Sequence, residues 1–206
     1  RLQVEHPISE MITGVDLVEL QIRVAAGESL SLQQQDLQIN GHSMEIRIYP
    51  EDPESLLPTA GIVEKLNEPT GEAVRFDSAL YDGYEVSSYY EPLMAKLVVW
   101  GEDRPKAIKK MEKAISSFSL EGVIINTPLI SKVLEHPTFL AANYDTGFLE
   151  RLVRDPNMGS SGKELIASIA VALAINSDQA KNDQPTRWKL HGRRQLMANR
   201  LSGGIF

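Results

Sequence analysis

The order of the predicted elements, short strands first and helices afterwards, restricts the fold of this 206-residue chain more than any other feature. Apolar and polar residues alternate from Met44 to Tyr49, which predicts a half-buried strand that ends at Pro50. The further strand candidates are residues 61–66, 73–77, 85–88, 93–100 and 123–125. This order predicts an α+β fold, in which helices pack on an antiparallel sheet, rather than a doubly wound parallel sheet.

Apolar residues at helical spacing predict the helices of this fold. Thr13 and Asp16 resemble a capping box, and Asp103 is placed to cap the first long helix after the strands. Residues 30–36 are expected to form a helical turn or a loop. The other predicted helical segments are a turn at 9–12, a helix at 15–26, a helix that begins at Thr127-Pro128 and a short helix at 148–153.

The composition changes after Val153, where residues 154–162 contain the proline, glycine and serine typical of a linker. An apolar helix is predicted at 165–175, and one or two strands are predicted within 187–206. This helix could pack on a sheet formed by residues outside the chain or on its own domain, and the sequence leaves both possibilities open. We therefore divide the chain into residues 1–35, 36–153 and 154–206.

Composition excludes several classes of function. The chain has no cysteine, so disulfides and thiolate metal sites are excluded, and its four histidines are too scattered to predict a metal site. A net charge of −7 argues against nucleic-acid binding. No apolar run approaches the roughly 20 residues of a membrane-spanning helix. No secretory signal is visible, so we expect a cytoplasmic protein, or a mitochondrial matrix protein in a eukaryote. Because the chain begins with Arg1 rather than methionine, we expect it to be a fragment.

The first six residues combine a guanidinium, an amide, a carboxylate and an imidazole. In an extended conformation Arg1, Gln3 and Glu5 would share one face, which could bind a small oxyanion beside a general base. Similarly, Glu45 and Arg47 would lie opposite Ile46 on the predicted strand. Surface strands often carry such polar faces, so residue chemistry alone leaves an ordinary solvent-exposed strand open in both places.

Several long segments of the chain resemble biotin carboxylases, in the same order along the sequence. The resemblance covers about residues 1–153. The matching segments are RLQVEHP at 1–7, SE at 9–10, TGVDLV at 13–18, NGHSMEIRIYPEDP at 40–53, PTAG at 58–61, YYEPLMAKL at 89–97 and YDTGFL at 144–149.

The resemblance implies a fold, an activity and site residues. It implies the end of an ATP-grasp lobe at 1–35, the biotin carboxylase C-terminal domain at 36–153, and a linker with the start of an interaction region at 154–206. Proteins of this family use ATP and Mg²⁺ (or Mn²⁺) to activate bicarbonate and transfer its carboxyl group to biotin. By resemblance, Arg1, Gln3 and the Val4 backbone would bind bicarbonate, Glu5 would be the base, and Arg47 would stabilise charge on the ureido oxygen of biotin.

The resemblance also implies partners and limits. In the family, the glycine-rich phosphate loop, the nucleotide-binding lysines, and an acidic residue and an asparagine that complete the magnesium and bicarbonate site would lie upstream of Arg1. The chain alone is therefore expected to be inactive and to bind no cofactor. Its expected partners are the N-terminal half of the same enzyme, a biotin carboxyl carrier domain, a carboxyltransferase subunit and a second copy. Glu91 and Ile124 depart from the residues usual in the family. The alternative function is a non-catalytic assembly module of an acyl-CoA carboxylase.

Overall fold

A three-stranded antiparallel sheet lies at the centre of the fold, in a computed structural model that describes residues 1–87 and 89–155. Residues 1–154 group into one compact unit. The elements in chain order are α1 (Pro7–Thr13), α2 (Leu17–Ala25), a 3₁₀ turn (Gln34–Asp36), β1 (His42–Ile48), β2 (Gly61–Ile62), β3 (Lys65–Asn67), β4 (Val74–Ser78), β5 (Glu85–Val86), β6 (Ala95–Gly101), α3 (Arg104–Ser117), β7 (Ser119–Glu121), α4 (Thr127–Glu135), α5 (Pro137–Leu140) and α6 (Phe148–Arg154).

The strand order in the central sheet is β1-β6-β4, and its register separates an apolar face from a polar one. Ile46, Leu97 and Phe76 lie opposite one another in one row, and this face packs against α3, where Met111 is fully buried. The other face carries the charged residues of all three strands and contacts α1. Because β6 is covered on both faces, its residues are mostly buried instead of alternating.

Two small ribbons flank the sheet. Strand β2 pairs with β5, and β3 pairs with β7, both in antiparallel register. Helix α3 begins as predicted, with the Asp103 carboxylate accepting a hydrogen bond from the Lys106 amide. The predicted α+β class, with helices packed on antiparallel strands, is confirmed. Within residues 1–87 and 89–155, no helix has the length and apolar character that crossing a membrane requires.

Some predicted boundaries were wrong. The single strand expected at 61–66 is two strands with different partners, β2 and β3. The strand expected at 123–125 does not form, because pairing with β3 selects residues 119–121 instead. Thr13 and Asp16 form no capping box: Thr13 ends α1, and Asp16 alone caps α2 by accepting from the Glu19 amide.

The division of the chain at 35/36 stays a prediction. Of the linker predicted at 154–162, Arg154 is instead the last residue of α6, and residues 156–162 lie outside the described residues, as do the apolar helix predicted at 165–175 and the strands predicted within 187–206.

Candidate active site

Two predicted site residues that are 42 positions apart meet at one end of the polar sheet face. Nη2 of Arg47, on β1, lies 3.2 Å from Oε2 of Glu5. Their side chains are 40% and 50% exposed, so water screens the pair and its contribution to stability is small. A weak and accessible pair of this kind can open, which leaves the guanidinium free for another anion and the carboxylate free for a proton.

Glu5 reaches Arg47 from a turn and not from a strand. The His6 amide donates to the Gln3 carbonyl at 3.2 Å, and the Ile8 amide donates to the Glu5 carbonyl at 3.2 Å. The turn leads directly into α1, whose first residue is Pro7, a position where the missing N–H of proline costs no hydrogen bond. The extended arrangement that would put Arg1, Gln3 and Glu5 on one face therefore does not form, because residues 4–6 adopt a turn.

The structure places the remaining predicted residues around this turn. Arg1 and Gln3 are exposed, and among the described residues neither makes a side-chain hydrogen bond or ion pair with Glu5 or Arg47. Arg1 instead lines an apolar groove of about 940 Å³ beside α2, together with Leu2 and His6. The structure thus brings Glu5 and Arg47 together, but it does not bring Arg1 and Gln3 to them.

Lys96 connects the turn to the middle of the sheet. It lies directly opposite Arg47 in the β1–β6 register, and its Nζ donates to the Val4 carbonyl at 3.4 Å. The same ammonium lies 3.4 Å from Oδ2 of Asp77 on β4. Burial acts to raise the pKa of Asp77, but Arg75 and Lys96 together outweigh it and hold that pKa below its usual value.

Glu45 is the buried member of the cluster. Its side chain is only 4% exposed, and Oε1 lies 3.6 Å from Nε of Arg47. Burial raises the pKa of Glu45 above its ordinary value, against the opposing effects of Lys96 and Arg47. The alternation of β1 correctly placed Glu45 opposite Ile46, but the face on which it lies is not open to solvent at this point.

Asn126 was not singled out from the sequence, although it fixes the backbone next to Arg47. Its Nδ2 donates to the Arg47 carbonyl at 3.1 Å, and its Oδ1 accepts from the Tyr49 amide at 3.1 Å. Asn126 is buried and lies just before α4, so the loop after β7 supports the end of β1. No local pattern marks this role, because the residues involved are almost 80 positions apart.

The cluster can bind an anion and accept a proton. The Arg47 guanidinium pairs with the half-exposed Glu5 carboxylate, and the Lys96 ammonium contacts the backbone of the same turn, an arrangement that suits a small oxyanion or a developing negative charge. The described residues contain no group of three side chains that could ligate a metal ion. Glu5 is one carboxylate paired with a cation, so these residues do not fit a complete magnesium site by themselves.

Comparison with known proteins identifies the family. Residues 45–151 match the family model described as biotin carboxylase C-terminal domain. The chain belongs to this family. Residues 1–33 match the ATP binding domain of the carbamoyl-phosphate synthase L chain. In this biotin carboxylase C-terminal domain protein, Glu5 and Arg47 therefore come from regions that match two different family models.

Curated relatives support the assignment. The biotin carboxylase of Haemophilus influenzae is 44% identical over 151 residues, which cover 73% of this chain and 34% of that protein. The mitochondrial methylcrotonoyl-CoA carboxylase subunit alpha of Mus musculus is 36% identical, with 99% of this chain and 28% of that protein covered. The chain thus spans about a third or less of the length of these relatives.

Solved structures agree. A biotin carboxylase from Campylobacter jejuni, in a complex described as β-γ-ATP, has a TM-score of 0.71 and 43% identity, with 73% of this chain and 34% of that chain covered. The biotin carboxylase domain dimer of the Hydrogenobacter thermophilus 2-oxoglutarate carboxylase, in complex with MgADP, ADP and bicarbonate, has a TM-score of 0.72 and 41% identity over the same shares.

Proposed function

We propose that this chain supplies the bicarbonate and biotin side of an active site that carboxylates biotin with ATP and bicarbonate. The observation that carries the proposal is the contact between Glu5 and Arg47, which joins regions matching an ATP-binding domain and a biotin carboxylase domain. The family resemblance implies opposite roles for the two residues: Glu5 as the base, and Arg47 as the cation that stabilises negative charge.

In this proposal Glu5 takes the proton of bicarbonate, and Arg47 leaves Glu5 to stabilise negative charge on the ureido oxygen of biotin. The weak, half-exposed ion pair supports this exchange, because little stability is lost when it opens. Arg1, Gln3 and the Val4 backbone are proposed to hold bicarbonate after upstream residues pack on the turn. ATP bound by the upstream region would supply the phosphoryl group that activates bicarbonate and would leave as ADP, and magnesium would offset the negative charge of its phosphates.

The whole enzyme is proposed to contain an upstream ATP-grasp region, a biotin carboxyl carrier domain, a carboxyltransferase subunit and a second copy of the carboxylase. The chain alone is proposed to be inactive and to bind neither ATP nor biotin. This limit is supported by the small share of the relatives that the chain covers. We propose a cytoplasmic location, or the mitochondrial matrix if the source is eukaryotic.

The test is phosphate release by the complete carboxylase that contains this chain, with ATP, magnesium and bicarbonate, in the presence and absence of free biotin. We expect biotin to stimulate release in the wild type. Glu5→Gln and Arg47→Ala are each expected to reduce the stimulated rate by about 10²-fold or more, because each removes charge at the reacting groups.

Matched controls separate these effects from general damage. Glu85→Gln removes an exposed carboxylate on β5, and Arg151→Ala removes an exposed guanidinium that pairs with Asp145. Both controls should retain the wild-type stimulation. If biotin does not stimulate the wild type, the catalytic proposal is wrong and the assembly-module alternative is favoured. If Glu5→Gln and Arg47→Ala behave like the controls, the residue roles are wrong.

A further inference from the structure

The carboxylate of Glu45 lies on the polar sheet face that contacts α1, and its side chain is only 4% exposed. Its Oε2 is buried and has no hydrogen-bond partner among the described residues. Enclosing an ionised carboxylate is costly unless cations and donors compensate, and here the nearest cations are Arg47 and Lys96. A buried carboxylate with one unpaired oxygen adds little stability to a fold, so stabilisation does not explain why Glu45 occupies this buried site.

The geometry around Arg47 explains why Glu45 lies at this buried position. Residues two apart on a strand share a face, so Glu45 lies beside Arg47 on β1. The guanidinium is held from two sides: Nε lies 3.6 Å from Glu45, and Nη2 lies 3.2 Å from Glu5. The Glu45 carboxylate is buried and stays in place, whereas the Glu5 carboxylate is half exposed and free to leave.

We propose that Glu45 is a positioning residue that holds the Nε edge of Arg47 and so aims its terminal nitrogens at the reacting groups. The inference rests on the proposed function of Arg47. When Glu5 turns to bicarbonate, Arg47 loses one of its two carboxylate neighbours. Glu45 then keeps the guanidinium in the orientation that the developing charge requires, and catalysis depends strongly on such alignment.

A purely structural role gives a different expectation. Arg47 keeps Glu5 and Lys96 keeps Asp77 when Glu45 loses its charge, so Glu45→Gln leaves no cation unpaired. The substitution also removes a buried charge with an unsatisfied oxygen. Positioning therefore predicts a variant that is at least as stable as the wild type at neutral pH and yet less active. A structural role predicts that activity and stability fall together.

The experiment measures biotin-stimulated phosphate release by the complete carboxylase with Glu45→Gln, Arg47→Ala and the double variant, beside Glu85→Gln as control. We expect Glu45→Gln to lower the biotin-stimulated kcat by about tenfold to a hundredfold, with KM for ATP and bicarbonate unchanged. In the Arg47→Ala background the same substitution should have no further effect, because Glu45 acts through Arg47. Thermal unfolding of each variant is measured in parallel.

The outcomes distinguish the two proposals. If the wild type shows no biotin stimulation, the proposed function fails. If stimulation is present and Glu45→Gln equals the Glu85→Gln control, or if its effect persists in the double variant, positioning fails and the proposed function stands. If Glu45→Gln does not fold, the structural role is favoured unless Glu45→Asp folds with wild-type stability and shows the same kcat loss, since Asp keeps the charge but withdraws it from Arg47.

Discussion

At the scale of single residues, the ionisation of Glu45 makes the stability of the fold depend on pH. Its folded-state pKa is raised above the ordinary value of 4.5, first by burial and against the effects of Lys96 from β6 and Arg47 from its own strand, while Glu5 adds to the rise. Below the unfolded pKa the carboxyl is neutral in both states. As pH rises through the folded pKa, ionisation is easier in the unfolded chain, so the contribution of Glu45 to stability is lost.

We therefore predict that the free energy of unfolding of Glu45→Gln, relative to wild type, increases as pH rises from about 4 to 7. Urea denaturation of both proteins at several pH values across this range measures it. Glu85→Gln, an exposed carboxylate on β5, is the matched control. A difference between Glu45→Gln and wild type that stays constant with pH would contradict the burial of this carboxyl.

Sequence reasoning identified Glu5 and Arg47 through the family resemblance, but it did not identify the environment of Glu45. Strand alternation shows which residues share a face, and it placed Glu45 beside Arg47. Whether that face is open depends on α1 folding back over the sheet, which is a non-local packing event. The role of Asn126 was missed for the same reason, since it acts on the backbone of a strand far away in the sequence.

At the scale of elements, the loop after β7 approaches the end of β2 and its connection to β3 so closely that only glycine fits. Gly122 has φ +93°, and a Cβ there would overlap the Ile62 carbonyl oxygen and lie 3.0 Å from the Glu64 amide nitrogen. Gly83 has almost the same φ, +92°, but a Cβ there meets nothing within 4 Å. Substitutions at these two glycines therefore distinguish the cost of backbone strain alone, at Gly83, from the cost of strain with steric overlap, at Gly122.

We predict that Gly83→Ala costs about 1–2 kcal/mol, the usual penalty of a left-handed conformation. Gly122→Ala should cost about 1–3 kcal/mol more, because the end of β2 and its connection to β3 must also shift. Chemical denaturation of both variants measures the difference, and equal costs would argue against the close approach.

The pairing of β3 with β7 explains why the strand boundaries were predicted wrongly. This pairing is long-range, and the periodicity of residues 61–66 or 123–125 contains no information about it.

At the scale of the whole described unit, ionic and polar contacts join the N-terminal segment to the sheet. Glu5 meets Arg47, the Val4 carbonyl accepts from Lys96, and Glu10 meets Arg75 with Nη1 and Oε2 2.6 Å apart. Each contact links residues within 1–33 to residues within 45–151, the ranges that match two family models. The polar face of the sheet is therefore the surface on which these two regions meet.

Arg75 is the best place to test this arrangement. Its Nε and Nη2 bind Asp77 on the same strand, while Nη1 reaches Glu10, whose side chain is only 13% exposed. Arg75→Met keeps the apolar stem but leaves the Glu10 carboxylate with the Leu17 amide as its remaining described partner. We expect a loss of about 1 kcal/mol, since Arg75 itself is partly exposed to screening water.

The loss of stability in Arg75→Met should be confined to the N-terminal helices. Hydrogen exchange on the Arg75→Met chain is expected to accelerate at the amides of α1 and α2, which depend on Glu10, and to change little in β1 and β6, whose ladder is intact. Arg151→Met, which removes an exposed guanidinium paired only with Asp145 in the described contacts, should leave both groups of amides unchanged. Equal acceleration in α1 and β6 would mean that the segment and the sheet unfold together, and that the ion pairs do not define a separable boundary between the two regions.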